Sequence, residues 1–265
     1  HAPAACPRMG LSSRRPLRAG AGAIRPDAGM RPPDPVADAT APGADAGCRR
    51  VLLVHGLWNA SWWLLPLAWR LRRMGFDVER FGYPSILGGP GPAIGALVAR
   101  LRGGPPRHLV GHSLGGLVAL EALRRAPGLP VARVVCLGSP LCGSRTAHAL
   151  AGQPRLAWAL GRSRALLQSG CLPWAGSVPV GMAAGDVARG IGRLLAAVAA
   201  DSDGTVALDE TRLPGLAAHC RVHASHTGLV FSAQAARQAA AFLRTGAFLG
   251  DGDAPDRDGA RGGPV

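Results

Sequence analysis

A serine, an aspartate and a histidine stand in this chain at the ends of separate apolar runs, and together they could transfer an acyl group. The serine is Ser113, in Gly111-His112-Ser113-Leu114-Gly115-Gly116, which reads G-x-S-x-G with a further glycine. Leu109 and Val110 close a short apolar run before it. Leu114, Leu117, Val118, Leu120 and Leu123 follow at helical spacing. A strand, a sharp turn carrying a serine and then a helix is the setting a nucleophile elbow requires. A serine hydroxyl is a weak nucleophile at its own pKa, so a base must take its proton. His226, in Ser225-His226-Thr227-Gly228, suits that role. Asp203, in Asp203-Gly204-Thr205-Val206, would fix the imidazole tautomer and stabilise its cation.

Singly, each has a plainer reading: a glycine-rich phosphate turn, a turn aspartate before glycine, a helix-capping histidine. Joint placement lifts the case, because Asp203 follows one predicted strand and His226 the next. Asp201 and Asp209 compete for the acid's role. Asp203 is preferred because Gly204 permits the tight turn that aims a carboxylate at the sheet edge. His223 competes with His226. It is expected inside the last strand, with a side chain that matters for stability.

Such chemistry also needs donors for a developing oxyanion. The run Arg50–Val54 ends in His55-Gly56-Leu57-Trp58-Asn59. The backbone N–H groups of Leu57 and of Leu114, the residue after the serine, are the expected pair. Trp58 is expected to line a substrate pocket, with core packing an equal alternative. His55 reads as a hydrogen-bonded structural histidine.

The elements that would position these residues alternate in type. Strands are expected at Arg50–Val54, 76–81, before Ser113, at 131–137, at 178–184 and at 220–223. Helices are expected at 61–74 (Ser61 as N-cap, Trp62, Trp63, Leu67, Trp69 and Leu71 mostly core), 90–102, 114 onward and 231–243. Alternation of this kind predicts an α/β fold with a doubly wound, mainly parallel sheet and helices on both faces. Residues 144–178, with Leu156, Trp158 and Trp174 among glycine and proline, read as a lid or cap insertion over the sheet edge. An apolar helical stretch is expected before Asp201.

The 265 residues suffice for one large α/β domain. Residues 1–47 are rich in proline, glycine, alanine and arginine without apolar periodicity and are expected to be disordered. The folded domain is expected over 48–249, and 250–265 as a polar tail. Ser13-Arg14-Arg15-Pro16-Leu17 resembles a twin-arginine export signal, but a poor apolar region follows; Met9 or Met30 are alternative starts. The net charge is +14, all of the positive charge arginine. The arginines are scattered and not interleaved with aromatics, which speaks against a nucleic-acid groove. No apolar run is long enough to span a membrane, though peripheral membrane contact stays open. Six cysteines at irregular spacing form neither a zinc pattern nor a disulfide framework. Cys136 is expected as a buried thiol. Cys142 and Cys171 could pair in an oxidising compartment, but thiols are favoured.

Val54-His55-Gly56-Leu57, the Ser113 motif, Asp203-Gly204-Thr205-Val206 and Ser225-His226-Thr227-Gly228 resemble those of α/β-hydrolase lipases and esterases. The similarity runs from about residue 50 to 243 and is strongest to the bacterial triacylglycerol lipase-like group and its PGAP1-like relatives. It implies hydrolysis of small-molecule or lipid carboxylic esters through an acyl-enzyme, with no cofactor and no metal. It also implies Ser113, Asp203 and His226 as the catalytic residues, with Leu57 and Leu114 as oxyanion donors. Secreted lipases of this group carry a disulfide near the acid, and no cysteine follows Asp203 closely here, nor is there a calcium-like cluster. A cytoplasmic esterase is therefore expected. An acyltransferase using the same triad, or a non-catalytic binding module on the same fold, are the alternatives.

Overall fold

A computed structural model describes residues 47–189 and 201–250. Six strands form one sheet: β1 (Arg50–Val54), β2 (Asp77–Phe81), β3 (Arg107–His112), β4 (Val131–Leu137), β5 (Val180–Gly185) and β6 (Ala218–Val222). Their order is β2-β1-β3-β4-β5-β6, and every adjacent pair is parallel. Register aligns Val54 with Gly111 and Gly111 with Cys136, so the ends of β1, β3 and β4 meet along one edge.

The strands are apolar on both faces because helices cover both, as a parallel sheet demands. Leu52, Val54, Leu109, Val134 and Cys136 point into one core. Val51, Leu53, Val110, Val135 and Leu137 alternate with them into the other. The first core is closed by α2 (Pro90–Leu101) and α3 (Leu114–Arg125), the second by α1 (Leu65–Arg73) and by the last helix, Ala233–Thr245. This is the doubly wound α/β arrangement expected from the alternation. Between β4 and β5 lie α4 (Arg145–Ala151), a 3₁₀ segment (Ala157–Ser163) and α5 (Arg164–Ser169). A short α6 (Gly228–Phe231) precedes the last helix, α7.

Several boundaries differ from expectation for local reasons. Ser61 does not cap a helix: Ser61–Leu64 is a 3₁₀ turn, and the α-helix begins only at Leu65. Pro66 lacks an N–H and fits only in a first turn, which sets that start. Two of the three tryptophans of this element are not core, while Trp63 packs partly buried against the second core. Leu64, Leu67, Ala68 and Leu71 fill the sheet-facing stripe, leaving Trp62 and Trp69 exposed. β5 starts at Val180, just after Pro179, rather than at 178. β6 ends at Val222, so His223 lies beyond it, exposed, with Nδ1 3.1 Å from Asp186 Oδ1. Phe231 belongs to α6, because Ser232 is extended and its hydroxyl accepts from Ala235 N to start α7. Cys136 and Cys171 are buried thiols whose ionisation burial pushes upward, Cys136 to about 12. The N-terminal segment before residue 47, the helical stretch expected before Asp201 and the tail after 250 lie outside the described residues.

Candidate active site

Ser113 follows β3 and caps α3 with φ 55° and ψ −123°, a backbone region that non-glycine residues rarely occupy. The strain is held by close packing. A Cβ at Gly111 would lie 2.5 Å from Gly116 N, and one at Gly115 would strike the Val54 carbonyl. Helix and strand therefore approach closely enough to force the turn. The elbow lifts Ser113 out of an otherwise buried strand into a cavity of about 260 Å³.

The acid comes from a compact turn after β5. Asp203 N donates to Val206 O, and Ser202 bridges to Ala207. Gly204, at φ 90°, completes the turn. The Asp203 carboxylate is buried, and its Oδ1 accepts from Thr205 N (2.9 Å) and Val206 N (2.7 Å). Its Oδ2 lies 2.6 Å from His226 Nδ1. His226 Nε2 lies 3.0 Å from Ser113 Oγ. With Nδ1–H donating to the carboxylate, Nε2 is left to accept the serine proton. Gly138, at the end of β4, has φ 56°. A Cβ there would come 3.0 Å from Asp203 Oδ2 and 3.3 Å from His226 Nδ1, so glycine keeps the pair's space open. Asp201 and Asp209 do not reach the imidazole: Asp209 pairs with Arg145 and Asp201 faces Arg221.

Leu57 and Trp58 line the same cavity. The loop that carries them abuts the elbow, since a Cβ at Gly56 would sit 2.9 Å from Ser113 Cβ. Leu114 begins α3, where backbone N–H groups have no partner within the helix. Trp58 is in a left-handed conformation (φ 61°), and its indole N–H donates to Ala159 O at 2.6 Å. It joins this loop to the segment between β4 and β5 and is not core.

Three residues at the site, His112, Tyr83 and Glu210, carry roles that sequence reasoning missed or left undefined, and a fourth, His55, has the role expected of it. His112 is buried and its Nε2–H donates to His226 O at 3.0 Å. Burial first, then the neighbouring His226, lowers its pKa to about 3, so the ring stays neutral. His55 has the expected structural character: Nδ1–H donates to Gly56 O (2.9 Å) and Nε2 accepts from Tyr83 N (3.2 Å). Burial lowers its pKa. Tyr83 stacks on it at 4.3 Å and donates its hydroxyl to His55 O, so it braces the Leu57 loop. Glu210 is a buried carboxylate that accepts from Ala207 N (2.9 Å), Arg145 N (2.7 Å) and Arg145 Nε (3.1 Å). It ties the turn of Asp203 to the start of α4. Burial raises its pKa despite these donors. His55 was read from its motif and His112 left a signal in its position beside the serine; Tyr83 and Glu210 left none.

No family model matches this sequence, and no curated protein matches it. Solved structures do. Mature Bacillus licheniformis lipase BlEst2 aligns with TM-score 0.59 at 21% identity, over 76% of this chain and 93% of that one. The fold is the α/β-hydrolase fold. The propeptide form of the same lipase aligns at TM-score 0.58, and there this chain spans only 48% of its length. The type II thioesterase BorB from the borrelidin biosynthetic cluster aligns at TM-score 0.52 and 18% identity, over 76% of this chain and 94% of that one. Along the sheet, Ser113 occupies the strand-to-helix turn after β3, while Asp203 follows β5 and His226 follows β6, beyond the intervening β4.

Proposed function

We propose that this chain is a serine hydrolase that cleaves carboxylic esters through an acyl-enzyme. The observation that carries the reading is the His226 imidazole, within 2.6 Å of the Asp203 carboxylate on one side and 3.0 Å of Ser113 Oγ on the other. In the proposed reaction, Ser113 Oγ attacks the ester carbonyl as His226 Nε2 takes its proton. Asp203 stabilises the imidazolium, and its own orientation rests on the N–H groups of Thr205 and Val206. The oxyanion is assigned to the N–H groups of Leu57 and Leu114. His226 then returns the proton to the departing alcohol, and water releases the acid by the same steps in reverse.

Residues 144–178 act in this reading as the cap. They supply Ala147, Leu150, Leu160 and Leu167 to the cavity beside Ser113, an apolar surface for an acyl chain. A cavity of about 260 Å³ is at the small end of ligand sites and favours short acyl groups. The fold neighbours include lipase and thioesterase structures, which agrees with acyl transfer to water. Within the fold, the four motifs support kinship with the bacterial triacylglycerol lipase-like group and its PGAP1-like relatives; a cytoplasmic location is proposed on the sequence expectation alone. The test is a series of p-nitrophenyl esters from acetate upward. Turnover should peak at short chains and vanish in Ser113→Ala; a well-folded wild-type protein inert on every ester would refute the proposal.

A further inference from the structure

Next to the tryptophans that line the cavity, Trp58 and Trp63, stand three more that the cavity does not use. Trp62 is 62% exposed, Trp69 55% and Trp158 72%. Trp62, Leu65 and Trp69 recur at spacings of three and four, so the element 61–73 has a second, outward apolar face opposite the one on the sheet. Contacts and the shared cavity link much of this surface. Trp62 meets Trp63 at 6.0 Å, and Trp63 meets the exposed Phe231 at 5.6 Å. Trp63 and Trp58 line one cavity, and Trp58 is bonded to Ala159, next to Trp158. An exposed apolar face of this extent marks an interaction surface.

Its charge says what kind. Among residues 57–76, 80–120 and 122–185 there is no aspartate or glutamate. The same stretches set arginines beside the aromatics. Arg155 O accepts from Trp158 Nε1, Arg73 stacks on Trp69 at 4.8 Å, and Arg155, Arg162 and Arg164 are exposed. Tryptophan prefers the headgroup level of a bilayer, and arginine gains there from anionic lipid. The stretches that carry the aromatics thus hold no acid to repel an anionic surface, and the exposed Asp209 beyond the cavity-lining Val206 is paired with Arg145. We propose that this face docks on the headgroup layer of an anionic phospholipid bilayer, with the cavity mouth turned toward it. Delivery of an ester from that layer to Ser113 rests on the hydrolase reading above; the docking itself does not.

The experiment uses the full chain and vesicles of phosphatidylcholine with one quarter phosphatidylglycerol. The protein should co-sediment with them, with blue-shifted tryptophan emission, and should bind pure phosphatidylcholine vesicles far less. Trp62→Ser/Trp69→Ser/Trp158→Ser should lower binding at least ~tenfold through the lost apolar insertion. Arg155→Glu/Arg164→Glu should do so at least ~tenfold through charge. Both variants should still hydrolyse soluble p-nitrophenyl butyrate, and Ser113→Ala should bind vesicles as wild type does. If either surface variant sediments like wild type, the proposal is overturned. It is equally overturned if light scattering finds a wild-type dimer that the tryptophan variant abolishes, since the face then pairs two copies. Vesicle binding without ester turnover would remove the hydrolase reading and leave the docking intact.

Discussion

The elbow and the acid turn hold their functional groups by opposite means. At Ser113 the turn is encoded locally: a strand, a strained serine and a helix are consecutive, and adjacent glycines let it pack closely on Val54 and Gly56. At Asp203 almost nothing is local beyond the turn itself. Glu210 anchors that turn to Arg145, 65 residues earlier, and Thr146 Oγ1 donates to Thr205 O. The acid is thus set by the cap segment as well as by the sheet. A nucleophile can be encoded in six consecutive residues, whereas the acid's position depends on a long-range polar clasp. It follows that damage to the elbow should be chemical and damage to the acid turn should be geometric.

The largest effect expected away from the elbow is at the acid itself. Asp203→Asn should keep the fold and lower kcat by about 10⁴, since the imidazole loses its tautomer. Asp209→Asn and Asp201→Asn should change kcat little; a greater loss at either would reassign the acid. Glu210→Gln should be intermediate. It keeps the shape but removes the charge from three N–H contacts, and kcat should fall by about tenfold as charge-assisted bonds weaken. KM should rise less if the clasp acts mainly through Asp203. Unchanged kcat with a lower melting temperature would make Glu210 a purely structural buried charge.

His112 gives the smallest effect and a pH signature. Its folded pKa, about 3, lies below the ordinary histidine value of 6.5, so the unfolded chain binds the proton more readily. Its contribution is present above pH 6.5 and is lost as pH falls through 6.5 toward 3. At pH 5 this amounts to about 2 kcal/mol. Melting curves should therefore show wild type losing more stability between pH 7 and pH 5 than His112→Asn does. Equal losses would mean His112 is not buried as a neutral ring.

The same contrast explains what was legible in the sequence. Alternating apolar runs sufficed for the parallel sheet and its two helical layers, because each strand is apolar on both sides and each helix on one. The motifs around Ser113, Asp203 and His226 pointed to the three side chains that the structure brings within hydrogen-bond reach. Trp62 and Trp69 misled, because hydrophobicity alone cannot tell an inward face from an outward one; Leu64, Leu67, Ala68 and Leu71, with Trp63 beside them, had already filled the inward one. His223 was misread because the strand stops one residue before it. Tyr83, Glu210 and the partner of His112 were not legible. Each acts across 28 residues or more, and no local pattern encodes such a contact.

The central claim is that Ser113 is a nucleophile activated by His226. A fluorophosphonate probe tests it most directly, because it reacts only with an activated hydroxyl. The wild-type protein should be labelled once, on the peptide that carries Ser113, while His226→Ala labels far more slowly and Ser113→Ala not at all. Labelling on another residue, or none on a well-folded wild-type protein, would contradict the account.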